Sequence, residues 1–337
     1  ATGGAVLSVT TLLKFGVMAL GLTAFWGGFW AGINYAGSFV LIHLLHWTVA
    51  TKQPAMTAPA MAARLEDVSD DDAVEGFVDE VAHLIRSQTA GIVGNLAMVF
   101  PLVLLVQWVA QGVLGAPLVG RASAEHVLHD LTLLGPTLAY AAFTGILLFA
   151  SSLIAGWAEN WFVLHRIDSA IRWNPRILAT LGPQRAAYWS RWWRDNISGI
   201  AANVSLGFLL GLVPVVCAFF GLPIEVRHVT LSTGQIAAAL GALGQEALLT
   251  PAFWWCLAAV PLTGALNLTV SFWLAFKVAL RSRNVRVGDR GRLYAALRRR
   301  LRTRFASFLL PPREAQTSDW LGISPPFLSE KVRISHL

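Results

Sequence analysis

The sequence predicts an all-α fold: a polytopic transmembrane helix bundle of about six spans, with a candidate duplicated two-helix hairpin. Three observations carry that expectation. First, of 337 residues 55% are apolar and 13% charged, with a mean hydropathy of +0.57. A soluble protein covers its surface with roughly a quarter charged residues, so a chain with half that share needs lipid around most of its exterior. Second, six stretches are long enough to cross a bilayer, which takes about 20 mainly apolar helical residues. Third, Lys and Arg gather in alternate connections, as they do on the cytoplasmic side of a membrane.

The first two spans run from Val6 to Trp26 and from Trp30 to Thr51, giving a hairpin over residues 1–51. Residues 52–90 form a cytoplasmic segment in which Glu66, Asp67, Asp70, Asp71 and Asp72 precede an amphipathic helix from Glu75 to Arg86. An acidic run beside anionic lipid is repelled, so it must stand off or meet a basic partner. Spans from Gly91 to Gln111 and from Gly135 to Trp157 make a second hairpin, residues 91–158. A Trp- and Arg-rich connection fills 159–196. Spans from Ile197 to Gly221 and from Ala252 to Leu280 form the third hairpin, 197–280. The tail, 281–337, opens with a basic amphipathic helix: Tyr294, Leu297, Leu301, Phe305 and Phe308 recur at helical steps, while Arg292, Arg298, Arg299, Arg300, Arg302 and Arg304 fill the rest of the wheel.

Orientation follows from the charges. Lys52, Arg64 and Arg86 follow the second span, six arginines from Arg166 to Arg194 follow the fourth, and eleven Lys or Arg lie between Lys277 and Arg304; the opposite connections hold only Arg121 and Arg227. Six spans with both ends inside is the parity that fits. Tryptophans at span ends, among them Trp26, Trp30, Trp108, Trp157, Trp254 and Trp273, read as anchors at the headgroup level. The first apolar run carries Lys14 in mid-span and no basic leader, so the chain reads as lacking an N-terminal part rather than as starting with a secretion signal.

A shift of 108 residues places Arg86, Gly91, Ile92, Asn95 and Phe100 on Arg194, Gly199, Ile200, Asn203 and Phe208, and both spans leave through a Gly-x-Pro turn, Gly115 with Pro117 and Gly221 with Pro223. The second and third hairpins therefore read as two copies of one unit.

Candidate functional residues fall into three groups. Thr51, Lys52, Gln53, Pro54 and Thr57 lie where the second span meets the cytoplasm, and the prolines Pro54 and Pro59 free backbone groups for a ligand or for nearby side chains. Inside spans, Asn34, His43, His46, Asn95 and Asn203, with Lys14, Gln107 and Asn267, are costly enough to mark either a polar path or hydrogen bonds between helices. His43 and His46, three apart, share one side of a helix. The tail arginines suit anionic lipid headgroups, with DNA as the alternative partner. Glu125, His126, His129 and Asp130 have metal-like spacing, but loops gather such residues as solvated faces, and no metal, other cofactor or catalytic residue is assigned. Nucleotide-binding and hydrolase motifs are absent from the sequence. Cys217 and Cys256 lie in apolar runs and read as small buried hydrophobes.

The strings Gly32-Ile33-Asn34-Tyr35, Ala50-Thr51-Lys52-Gln53-Pro54, Arg86-Ser87-Gln88 with Gly94-Asn95, Ala155-Gly156-Trp157, and Gly221-Leu222-Pro223 with Arg227-His228-Val229 resemble the C-terminal half of bacterial membrane proteins labelled site-specific recombinase. The resemblance implies a role in DNA recombination, an inner-membrane location and, as a partner, an N-terminal region beyond this chain. The residues themselves supply no recombinase site. Of four tyrosines, Tyr35 and Tyr140 lie in spans, Tyr188 lies among Trp and Arg, and Tyr294 falls in the apolar stripe of the basic helix. A transporter or channel-like component, using the intramembrane amides, the histidines and the Lys52 loop as a polar path, and a structural membrane scaffold are the alternatives.

Overall fold

The structure, a computed structural model, describes residues 2–47, 71–282 and 290–310. Among them are ten α-helices and no strand: α1 (Thr2–Ala19), α2 (Ala24–Leu44), α3 (Asp71–Leu114), α4 (Arg121–Asp130), α5 (Thr137–Leu164), α6 (Ile167–Trp173), α7 (Pro175–Phe219), α8 (Val229–Leu243), α9 (Pro251–Ser282) and α10 (Arg290–Thr303). The all-α bundle expected from composition is the fold. Five helices, α1, α3, α5, α7 and α9, hold segments long and apolar enough to cross a membrane. The expected sixth, α2, has the length, at 21 residues, but Trp, Gly, Asn34 and His43 dilute its hydropathy.

Boundaries moved where backbone chemistry overrode hydropathy. The first span ends at Ala19, not Trp26, because Gly21 turns the chain at φ +63°; Trp26 belongs to α2. The amphipathic segment and the third span are one helix of 44 residues, since nothing between Arg86 and Gly91 breaks the hydrogen-bond ladder and Pro101 is absorbed inside it. The fifth span likewise continues back through the Trp- and Arg-rich connection as α7, interrupted only at Gly182 (φ +77°). Asn174 starts α7 by accepting the N–H groups of Arg176 and Ile177, with Pro175 in the first turn where its missing N–H costs nothing. The limits drawn at residues 90 and 196 thus fall within continuous helices.

The order of elements occurs twice. A long helix (α3, α7) ends in a glycine turn, Gly115 at φ +74° and Gly221 at φ +71°; a shorter helix (α4, α8), a long apolar helix (α5, α9) and a small basic-side helix (α6, α10) follow.

The most intimate helix pair is α2 against α7. Gly28 faces Gly211 and Val215, Gly32 faces Phe208, Ala36 faces Gly207, and the His43 ring covers Gly199, so the two helices run antiparallel. A Cβ on Gly211 would lie 2.5 Å from the Gly28 carbonyl oxygen and 2.6 Å from the Gly32 nitrogen. Small residues four apart on both helices let the backbones touch, the arrangement that joins helices where apolar burial alone gives no preference for protein over lipid. Around this seam α1 packs on α3, α9 on α5, and α5 on α7; α8 fits between α1, α3, α4 and α9, with eleven of its fifteen residues buried. Phe39, Leu7, Ile42, Leu206 and Ile236 fill the centre.

Overpacking a seam of this kind costs about 1–3 kcal/mol. Gly211→Leu is therefore expected to lower the melting temperature of the detergent-solubilised protein and broaden its gel-filtration peak, whereas Gly112→Leu, at a glycine with open space around it, leaves both unchanged.

Candidate functional site

The loop with Thr51, Lys52, Gln53, Pro54 and Thr57 lies outside the described residues. The amides predicted to lie within spans bond as follows. Asn34 donates to the Thr10 carbonyl of α1 at 2.8 Å, Asn95 accepts the Gly4 N–H at 3.1 Å, and Asn203 donates to the Gly199 carbonyl of its own helix at 2.9 Å. Asn95 thus marks where α1 meets α3, whereas Asn203, its equivalent in the 108-residue shift, bonds within α7 between Gly199 and Gly207, the glycines on which α2 packs. His43 and His46 do not share a helical face: α2 stops at Leu44, and His46 sits beyond it, exposed, at φ +56°.

Two further amides, Gln107 and Asn267, hold the chain where it doubles back after each long helix. The Gln107 oxygen accepts the N–H groups of Leu118 (3.0 Å) and Val119 (3.3 Å), while its amide donates to Ala238 of α8. Asn267 accepts the Val229 N–H at 3.1 Å and donates to the carbonyls of Ala141 (2.8 Å) and Arg227 (3.0 Å). Val229 opens α8, so Asn267 satisfies one of the N–H groups that a helix start leaves without an internal partner. Both amides are fully buried.

On the basic side, α10 is held by the acidic start of α3. Arg299 pairs with Glu75, Arg300 lies 2.8 Å from Asp79, and Arg86 of α3 donates to the carbonyls of Ser307 and Leu310 in the turn after α10. Beneath these polar contacts Val74, Phe77, Val81, Ala82, Ala279 and Phe308 form a small separate core. Of the acidic run, Glu66, Asp67 and Asp70 lie outside the described residues; the acids that meet the chain's own tail are Glu75 and Asp79 of the amphipathic helix. The expected apolar stripe is divided between two faces: Leu297 and Phe308 turn into this core, whereas Tyr294, Leu301 and Phe305 stay exposed beside Arg298, Arg302 and Arg304.

The position equivalent to Arg86, Arg194, plays a matching part at the other small helix. Its guanidinium lies 2.7 Å from Asp168 of α6, and Ser190 donates to the Asp168 carbonyl. Each small helix therefore docks on the long helix of the other series of elements, α10 on α3 and α6 on α7.

Sequence reasoning missed a cleft of about 630 Å³ at the other end of the bundle. The end of α4 supplies His129 and Asp130, α5 supplies Tyr140, the strap before α8 supplies Glu225 and Arg227, and the start of α9 supplies Trp255. Arg227 is 93% buried. Its guanidinium meets Glu225 at 2.5 Å, the Val226 carbonyl at 3.2 Å and the Asp130 carbonyl at 3.1 Å, and stacks on the Tyr140 ring with its carbon 5.3 Å from the centroid. The Arg227 backbone N–H is held by Thr144 at 2.7 Å. The Arg227 Nε–H meets no acceptor among the described residues. Lys14 of α1 lies within electrostatic reach of Arg227, Glu225 and Asp130. The signal was present: Arg227 was one of only two basic residues on its side of the charge count.

His126 and His129 both reach the Asp130 carboxylate, at 3.0 and 3.1 Å, while Glu125 is taken by Arg121. Among the described residues no group of three or more His, Cys, Asp or Glu side chains is placed to hold a metal ion. Cys256 is buried and donates to the Leu128 carbonyl.

Fold and site together define a helical bundle built around long apolar helices, with a self-docked basic helix at one end and a polar cleft at the other. A family model described as site-specific recombinase matches residues 1–311, and the chain belongs to that family. No curated protein and no solved structure matches it.

The α6 contact makes a pH prediction. The Ser169 backbone N–H, with Arg194 beside it, holds the Asp168 carboxyl below the usual carboxylate range, against a smaller opposing effect of burial. A depressed carboxylate stabilises above its unfolded pKa, about 4, and loses that contribution as pH falls through the folded value. Limited proteolysis around α6 is expected to accelerate in the unaltered protein as pH drops from about 6 to about 3. Asp168→Asn should be cleaved readily at the upper pH already and respond less to acid.

Proposed function

We propose that this chain is an integral protein of the bacterial inner membrane, crossing it six times with α2 as one of the passes and both ends in the cytoplasm. Its part in DNA recombination is that of a membrane-bound accessory, with strand cleavage carried by protein outside residues 1–337. Large apolar side chains left exposed on the long helices support the membrane placement, among them Trp108, Val113, Trp157, Phe219 and Trp273. They suit a lipid boundary and an aromatic belt far better than water. The recurrence of element order supports an origin by duplication, with α4 and α8 as short helices that climb back toward the outer surface after each glycine turn.

The observation that carries the functional reading is the docking of α10 on α3. With Arg299 and Arg300 bound to Glu75 and Asp79, the outward face combines Tyr294, Leu301 and Phe305 with Arg298, Arg302 and Arg304. An apolar row flanked by arginines suits an anionic lipid surface, whose headgroups take the charge while the acyl boundary takes the side chains. Nucleic acid would use the arginines but not the row. Tyr294 stands in that row, 61% exposed, which argues for an interfacial anchor rather than a nucleophile enclosed by a catalytic set.

A reporter active only in the cytoplasm, fused after Leu337, is expected to be active; activity of an exported reporter at that position would contradict the topology. The purified protein in detergent is expected to retain no duplex DNA at low salt. Salt-sensitive retention abolished by Arg298→Ala with Arg302→Ala would instead assign the platform to DNA.

A further inference from the structure

The cleft around Arg227 carries charges of both signs next to exposed apolar surface, and no motif-based reading accounts for it. Arg227 is anchored at its backbone and guanidinium, yet one N–H of a nearly buried cation is left without an acceptor. Such a group costs free energy unless something completes it. Two acids line the cleft with it, and they are not equivalent: Asp130 meets Arg227 through its backbone carbonyl. Glu225 is the ion-pair partner and is half exposed, whereas the Asp130 carboxylate is about one quarter exposed and flanked by His126 and His129. A simple anion would be attracted by Arg227, with Lys14 also within reach, but repelled by the two carboxylates, and a simple cation would meet the reverse. A ligand carrying both charges satisfies both sets.

The apolar rim gives the rest of the ligand. Leu134, 71% exposed, and Trp255, 42% exposed, border the cleft together with Pro136 and Pro251. The apolar helices α5 and α9 begin at Thr137 and Pro251, so the cleft lies beside the first turns of both. The Leu133 N–H bonded to the Trp255 carbonyl at 3.3 Å ties the two rims together.

We propose that this cleft binds an amphiphile with a zwitterionic headgroup, a phosphate ester bearing a primary ammonium, from the leaflet opposite the basic tail. The phosphate lies toward the Arg227 guanidinium, the ammonium between the Asp130 and Glu225 carboxylates, and the acyl chains along Leu134 and Trp255. A primary ammonium offers three N–H donors to the carboxylates. A quaternary one offers none and a glycerol headgroup has no positive charge, so the site distinguishes the three. This assignment rests on the membrane placement proposed above; failure of that placement would show in the reporter assay, whereas failure of this one shows in lipid binding.

Native mass spectrometry of the full chain in detergent tests it, with short-chain phosphatidylethanolamine, phosphatidylglycerol and phosphatidylcholine as probes. The ethanolamine lipid is expected to be retained about tenfold better than either of the others, a difference of about 1.4 kcal/mol. Glu225→Gln releases Arg227 from its ion pair and should shift the preference toward phosphatidylglycerol. Glu225 is half exposed, and a melting curve without lipid checks that the variant remains folded; if it does not, the headgroup ranking of the unaltered protein decides alone. Equal retention of the three lipids, or an unchanged ranking in a folded Glu225→Gln protein, would overturn the proposal. Phosphoethanolamine without acyl chains is expected to bind far more weakly than the lipid. Binding of equal strength would overturn the lipid as the source.

Discussion

A polypeptide that turns back on itself among apolar helices has to find partners for the backbone groups exposed by the turn, and this requirement governs the rest of the molecule. Backbone N–H and C=O groups away from water cost several kcal/mol each when unpaired. The chain meets the requirement with two buried amides. Gln107 receives the strand of chain after Gly115, and Asn267 receives the one after Gly221. Because those returns are held, α8 can lie buried among α1, α3, α4 and α9, and Arg227 can be carried inside the bundle instead of projecting from it. The cleft follows from the same device.

At the opposite end the dominant interaction is charge against charge with a small apolar core beneath. Exposed ion pairs contribute little by themselves, roughly 0–1 kcal/mol, so the Glu75 and Asp79 contacts select the register of α10 while Phe77, Val81 and Phe308 supply the burial. Arg86 and Arg194, matched by the 108-residue shift, hold the turn after α10 and the helix α6 respectively. These two dockings tie α10 to α3 and α6 to α7, and they leave a defined face of α10 outward, the face on which the proposed function depends.

Much of the fold was legible because hydropathy over about 20 residues is a strong signal. Three features were not. Gly28, Gly32, Gly207 and Gly211 were available in the sequence, yet glycine reads as a breaker until two helices with the same four-residue spacing are set against each other. The helix α8 is fifteen residues long and includes Thr230, Ser232 and Thr233, so it fails a span test even though it is among the most buried elements. The histidine pair failed because its geometry assumed a helix reaching His46, and α2 ends two residues earlier. The amides were found as costly residues; their role, bonding helices and returning chain, required knowing which backbone groups lay opposite them. Arg227 was counted as an exception to a charge rule although it lines a polar cleft.

Hydrogen exchange followed by mass spectrometry measures this arrangement directly, because Leu118, Val119 and Val229 owe their backbone partners to two side chains. The account predicts that these amides exchange as slowly as helix interiors, and that Asn267→Leu accelerates exchange over residues 226–230 by at least about tenfold while leaving α6 and α10 unaffected. Exchange in the unaltered protein as fast as in an open surface loop, or no acceleration in Asn267→Leu, would contradict it.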